Sequence, residues 1–233
     1  SMTDAAKAIR SVFRSGLLPS AMELADKFTL QAAWKRTGSD IFKDSGAHLI
    51  LELDGQEQSV CAEILQAHEH LLRAGARSLQ IARGNNECEN IWAIRREFSY
   101  GLRDTGLKKI NHDIVIPRGK LEEYFEFTDS LQQKYGIPIA CFGHAGDGNI
   151  HTNIMIKPDN QQQTEISREL TQTIFQQVLN WGGKITGEHG IGLSKLPWWE
   201  LATTPEERLL HQRIKKALDP QNILNPGKFI QND

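Results

Sequence analysis

The chain has 233 residues, a formal net charge of −2, 39% hydrophobic and 24% charged residues, the makeup of a soluble globular protein with room for one large domain or two small ones. That charge provides no general field for nucleic acid, and no basic tract is interleaved with aromatics. No apolar run approaches the ~20 residues of a membrane span, and the N-terminus lacks the apolar core of a signal peptide, so a cytoplasmic location is expected.

Ser1-Met2 reads as a cleavage remnant followed by a start and is set aside. Helical spacing then predicts a helix over 3–15 stopped by Gly16, a short strand over 21–24 and a helix over 26–35. The apolar run 48–53 ends in Asp54-Gly55, as a strand entering a turn does. A helix over 58–74 carries Val60, Ile64, Ala67 and Leu71 on one face, with Gly75 as its stop. Next come a strand over 78–82, a helix over 86–102, a strand over 114–116 and a helix over 120–135. After a hairpin, a long helix covers 162–181, and a last helix covers 205–218, capped by Thr204 and stopped before Pro220. Helices alternate with strands, but one adjacent strand pair is a hairpin. The expected fold is therefore α+β, a mixed or antiparallel sheet with helices on one face. There is no repeat and no Pro/Gly/Ser linker.

The hairpin is built on Gly143-His-Ala-Gly-Asp-Gly-Asn-Ile-His151-Thr-Asn153, with Asp147-Gly148 as a two-residue turn signal between apolar runs. If 147 and 148 are the central residues, 144 pairs with 151. His144 and His151 are then cross-strand neighbours, close enough for two imidazoles to meet on one ion. The competing reading is a pair of ordinary surface or hydrogen-bonded histidines. Thr186-Gly-Glu188-His189-Gly-Ile-Gly192 places a carboxylate beside an imidazole in a glycine-rich loop. Two histidines and Glu188 would leave coordination positions open, as in catalytic metal sites, while His189 faces a substrate. Asn153 shares the His151 face and offers a donor and an acceptor. It is equally a strand Asn bonded to its neighbours. Asp147 is read as a turn former. Cys61, Cys88 and Cys141 lack CxxC spacing and read as small buried hydrophobes. On the helix over 86–102, Arg95 and Ser99 share a face, and Arg95 presents a planar fork for a carboxylate, or for a surface ion pair. Arg96 is expected to be solvated or paired. Trp198 and Trp199 would pack a helix start or a subunit contact, or face an absent domain.

GHAGDGNIHTN, TGEHGIGLSK and the closing ALDPQNILNPGKF together resemble the C-terminal domain of FAD-linked oxidases of the vanillyl-alcohol-oxidase type. Within that group they resemble the D-lactate, glycolate and D-2-hydroxyglutarate dehydrogenases. The resemblance extends back through Pro19-Ser-Ala-Met-Glu23-Leu, Leu49 to Gly55, Trp92-Ala-Ile-Arg95-Arg96 and Lys109 to Pro117, and so covers nearly the whole chain. It implies two ferredoxin-like units in one extended sheet, with a cut near residue 108 that gives 3–108 and 109–233. It implies that FAD is held mostly by a domain in cis for which this chain carries no G-x-G-x-x-G or phosphate-loop motif. The chain therefore reads as half of a flavoenzyme, with a separate natural subunit as the other reading.

The resemblance also implies roles. Arg95 binds the substrate carboxylate and Lys109 is a substrate lysine. His144, His151 and Glu188 hold zinc, manganese or iron, His189 is the base, and Asn225 in the Asn-Pro-Gly-Lys turn approaches the flavin. The expected reaction is oxidation of a small 2-hydroxy acid to a 2-oxo acid, with the electron acceptor beyond the flavin and a homodimer left open. The enzyme is expected in the cytoplasm, peripheral to a membrane if its electron acceptor lies there. The isolated chain is expected to be inactive. Other classes using the same ligands are a metal-dependent hydrolase, an iron oxygenase, and a non-catalytic binding domain.

Overall fold

The computed structural model describes residues 1–38, 44–228 and 230. The elements in chain order are α1 (Met2–Arg14), β1 (Ala21–Asp26), α2 (Lys27–Thr37), β2 (Ala47–Glu52), α3 (Glu57–Arg73), α4 (Gly84–Arg103) and β3 (Lys108–Val115). They continue as α5 (Leu121–Tyr135), β4 (Ile139–His144), β5 (Asn149–Ile156), α6 (Gln161–Asn180), α7 (Trp199–Ala202) and α8 (Pro205–Leu218).

Caps set many of the boundaries. Thr204 and Glu207 form a capping box ahead of α8, with Pro205 opening the helix. Gly38 and Gly136 close α2 and α5 in the left-handed conformation. Asp26 ends β1 and caps α2: its Oδ1 accepts from the Thr29 amide at 2.8 Å and its Oδ2 from the Cys141 amide at 2.8 Å. One buried carboxyl thereby fixes strand, helix and neighbouring strand together, and burial pushes it up to about 6.

The five strands form one antiparallel sheet in the order β2-β1-β4-β5-β3. Strand residues alternate faces. One face presents Leu24, Ile114, Cys141, Ile150 and Ile154, which form the larger core with α1, α5 and α6, while α3 packs over α1. On the other face Ala25, Ala140, Phe142 and Met155 meet Leu30 and Ala33 of α2 and Phe98 and Leu102 of α4. Helices therefore cover both faces, not one as expected. The polar residues Glu23, Asp113, His144 and His151 stand on that same second face, beside the layer formed by α2 and the 20-residue α4.

Two strand expectations change. The stretch 78–82 joins no sheet; Ile81 is 43% exposed, and the run has no buried face to hold it against a neighbour. Strand β3 begins six residues before the expected 114, because Lys108, Lys109, Asn111, His112 and Asp113 interrupt the apolar pattern from which a strand is read. Trp198 packs edge-on against Phe175 at 5.2 Å and Trp199 against His211 at 5.2 Å, which is the helix-start reading. No helix among the described residues is long and apolar enough to cross a membrane.

Candidate metal and substrate site

The β4–β5 register differs from the two-residue turn. His144 pairs with Asn149 and Phe142 with His151, so 145–148 form a four-residue loop. The displacement is two residues, which keeps both histidines on one face. They are diagonal rather than direct partners, with ring centroids 5.6 Å apart. Contacts outside the hairpin favour this register. The Gly148 carbonyl accepts from the Ile116 amide at 2.8 Å, and a Cβ on Gly148 would lie 2.0 Å from the Ile116 carbonyl oxygen. Its φ of +75° also suits only glycine well.

The same face carries Glu23 of β1, which pairs with His144, and Asp113 of β3, which pairs with His151. The loop after residue 185 folds over it. Asp113 Oδ2 accepts from the amides of Gly187, Glu188 and His189, each at 2.9 Å, and from the Thr186 hydroxyl at 3.2 Å. Lys195 Nζ is 3.8 Å from that oxygen and donates to the Asp113 carbonyl at 3.1 Å. Burial raises the Asp113 carboxyl, but the three amides and Lys195 outweigh it and hold it at about 2. A Cβ on Gly187 would lie 2.5 Å from the Asn149 amide nitrogen, so the loop lies directly on the sheet.

This cradle turns Glu188 toward three imidazoles. Glu188 Oε1 lies 3.5 Å from His151 Nε2, 3.7 Å from His189 Nε2 and 3.8 Å from His144 Nε2. Asp113, His151, Glu188 and His189 each offer an atom within 4.8 Å of the other three, and His144 joins through Glu188. Donors bonded to a tetrahedral metal at about 2.0–2.2 Å stand roughly 3.3–3.6 Å from one another, so this spacing and the N/O donor chemistry fit a divalent ion. Two buried atoms beside the cluster, Asp113 Oδ1 and His151 Nδ1, have no hydrogen-bond partner among the described residues. Glu188 and His189 are half exposed, which leaves one side of the cluster open.

Burial and the neighbouring His144 lower His151 to about 4, so it stays neutral and able to ligate. His144 is raised, chiefly by its hydrogen bond to Glu23. Burial raises the Glu23 carboxyl, yet His144 and Arg95 together hold it below its ordinary value.

Arg95 donates from Nε to Glu23 Oε2 at 2.6 Å, and its guanidinium carbon lies 5.1 Å from the Phe142 ring centre. Its terminal nitrogens make no hydrogen bond among the described residues. Arg96 is exposed and paired with Glu89. One turn beyond Arg95, Ser99 accepts from Lys109 Nζ at 3.0 Å. Burial and the Arg103 charge lower the Lys109 ammonium. Asn153 is fully buried; its Nδ2 donates to the carbonyls of Ala140 at 3.0 Å and His151 at 3.1 Å, and its Oδ1 accepts from Asn111 at 2.7 Å. Its amide braces the strands. Asn225 sits exposed in the C-terminal turn with φ +48°.

Sequence reading passed over Glu23 and Asp113 as site members. Glu23 carried a signal, an acid inside the apolar strand run Ala21 to Ala25, where a buried charge needs a partner, whereas Asp113 stands among the polar residues of β3 and carried none.

Residues 1–229 match the family described as FAD linked oxidases, C-terminal domain. The chain belongs to that family. The FAD-linked oxidase C-terminal domain described here is similar to glycolate oxidase subunit GlcD of Bacillus subtilis (strain 168), 29% identical over 98% of this chain and 49% of the relative. It is 30% identical to the D-lactate dehydrogenase of Archaeoglobus fulgidus, over 99% of this chain and 49% of the relative. It is 27% identical to the D-2-hydroxyglutarate dehydrogenase of Stutzerimonas stutzeri (strain A1501), over 80% of this chain and 41% of the relative. The domain thus spans about half the length of the curated relatives it matches. In fold it resembles p-cresol methylhydroxylase with substrate bound, at TM-score 0.64 and 15% identity, covering 100% of this chain and 51% of that one.

Proposed function

We propose that this domain is the substrate- and metal-binding half of an FAD-dependent dehydrogenase that oxidises a small 2-hydroxy acid of the D-lactate, glycolate or D-2-hydroxyglutarate type. The observation that carries the reading is the convergence of three imidazole Nε2 atoms on one Glu188 oxygen, 3.5–3.8 Å away. Family membership favours flavin chemistry over a hydrolase or an oxygenase. The FAD-binding domain is in cis.

His144, His151 and Glu188 hold a divalent ion, zinc or else manganese or iron, which supplies Lewis acidity at the hydroxyl, while FAD supplies the hydride acceptor. The rest falls to this chain's side chains. Arg95 receives the substrate carboxylate on its terminal nitrogens, and its Nε bond to Glu23 fixes the plane of the fork. Lys109 and Ser99 add a polar boundary beside it. His189 takes the hydroxyl proton at Nε2, and its half-exposed imidazole can then release that proton to water. Asn153 steadies the backbone of His151. Asn225 contributes on the flavin side.

The test is anaerobic titration of the full-length protein's flavin with D-lactate, glycolate and D-2-hydroxyglutarate, before and after EDTA. Bleaching by one acid that is lost with EDTA and restored by zinc or manganese supports the proposal. Bleaching insensitive to EDTA removes the metal from the mechanism, and no bleaching by any 2-hydroxy acid removes the substrate class.

A further inference from the structure

We infer that Glu23 is a positioning residue that couples the metal ligand His144 to the carboxylate-binding Arg95. The inference rests on the metal and substrate reading above. Glu23 lies on β1 opposite His144 on β4, with only 5% of its side chain exposed. Its two oxygens serve different partners. Oε1 accepts from His144 Nδ1, and Oε2 accepts from Arg95 Nε at 2.6 Å.

Each contact has a chemical consequence. A carboxylate at Nδ1 holds the proton there, which fixes the tautomer that leaves Nε2 with its lone pair, and Nε2 is the nitrogen that faces Glu188. A carboxylate at Nε anchors one edge of the guanidinium, and the two terminal nitrogens make no hydrogen bond to another described residue. The aromatic rings of Phe98 and Phe142, 5.8 and 5.1 Å from the guanidinium carbon, complete the clamp. A bare buried ion pair between Glu23 and Arg95 would need neither His144 nor a free fork. The shared carboxylate on β1 ties together both halves of a 2-hydroxy acid site, the hydroxyl side at His144 of β4 and the carboxylate side at Arg95 of α4.

The experiment compares wild-type full-length protein with Glu23→Gln and Glu23→Asp. Zinc affinity is measured by chelator competition, and binding of oxalate, a redox-inert analogue of the substrate anion, is measured at saturating zinc. Glutamine loses the charge and sets an amide nitrogen or a neutral oxygen against each donor. Zinc should bind ~10–100-fold more weakly, the range for loss of a partner behind a metal-bound histidine. Oxalate should also bind at least about tenfold more weakly with zinc saturating, because the fork is no longer oriented. Aspartate keeps the charge but is one methylene short, so it should rescue one readout and leave the other impaired.

Zinc affinity equal to wild type overturns the His144 half. Oxalate that binds Glu23→Gln as well as wild type, or does not bind the zinc-loaded wild type, overturns the Arg95 half. If Glu23→Gln fails to fold, Glu23→Asp decides: zinc and oxalate affinities both equal to wild type overturn the coupling. Wild-type protein that binds no zinc defeats the metal reading itself, a result distinct from an unaltered variant.

Discussion

Asp113 and Glu188 are joined through the Glu188 amide, which donates to Asp113 Oδ2 at 2.9 Å. The side chain of Glu188 therefore meets the histidines because its backbone is held by a carboxylate from a strand. Asp113→Asn keeps the shape and loses the charge that three amides and Lys195 share. Zinc affinity should fall about 10–100-fold while the helical circular dichroism is retained. Asp113→Ala, which strands a buried Lys195, should cost about 3–5 kcal/mol in urea unfolding. An Asn variant with wild-type zinc affinity would show that the loop holds its shape without the carboxylate.

The metal and the base are separable by mutation. His151→Ala should abolish zinc binding and with it substrate-dependent flavin reduction. His189→Asn should leave zinc bound and lower the flavin reduction rate by about 10²–10⁴-fold, the usual contribution of a positioned base. Stopped-flow reduction with metal analysis on the same samples separates the two, and normal reduction by His189→Asn would remove it from the role of base.

Arg95 is predicted to act through its fork and not through charge alone. Arg95→Lys keeps a cation but loses the Nε contact to Glu23 and the paired terminal donors. It should raise KM for the 2-hydroxy acid by about tenfold or more, corresponding to roughly 1.4 kcal/mol or more of lost binding. Steady-state kinetics decide, and an unchanged KM would mean that the carboxylate binds elsewhere.

His112 links stability to pH. It is buried against Phe175, its Nε2 lies 2.8 Å from Thr171 Oγ1, and burial and the Lys195 charge lower it to about 4 from an ordinary 6.5. Between those values the unfolded chain takes up a proton that the native protein refuses, so this histidine makes stability fall as pH falls. From pH 7 to pH 5 its share is about 2 kcal/mol. His112→Leu leaves Thr171 its bond to the Ser167 carbonyl. The variant should lose about 2 kcal/mol less than wild type over that interval in urea unfolding. The opposite effect of Asp26, raised to about 6, is common to both proteins and cancels. Equal pH slopes would place the unfolded proton uptake at another group.

Much of this protein was determined by local sequence. The helices at 2–14, 57–73 and 205–218 follow from apolar spacing and from caps such as Thr204 and Glu207, which act within a few residues. His144, His151, Glu188 and Arg95 were legible because their motifs are contiguous and chemically specific. What only the tertiary structure decided depends on contacts between distant segments. The hairpin register followed Ile116 and the crowding around Gly148 rather than the Asp-Gly signal. Strand β3 was hidden because Lys109, Asn111 and Asp113 occupy its site face and His112 is buried on the other against Thr171 and Phe175, so few apolar residues mark it. Glu23 and Asp113 stand 121 and 75 residues from the His144 and Glu188 that they hold. A carboxylate inside an apolar strand run announces in sequence that it needs a partner, and only the fold determines which one it meets.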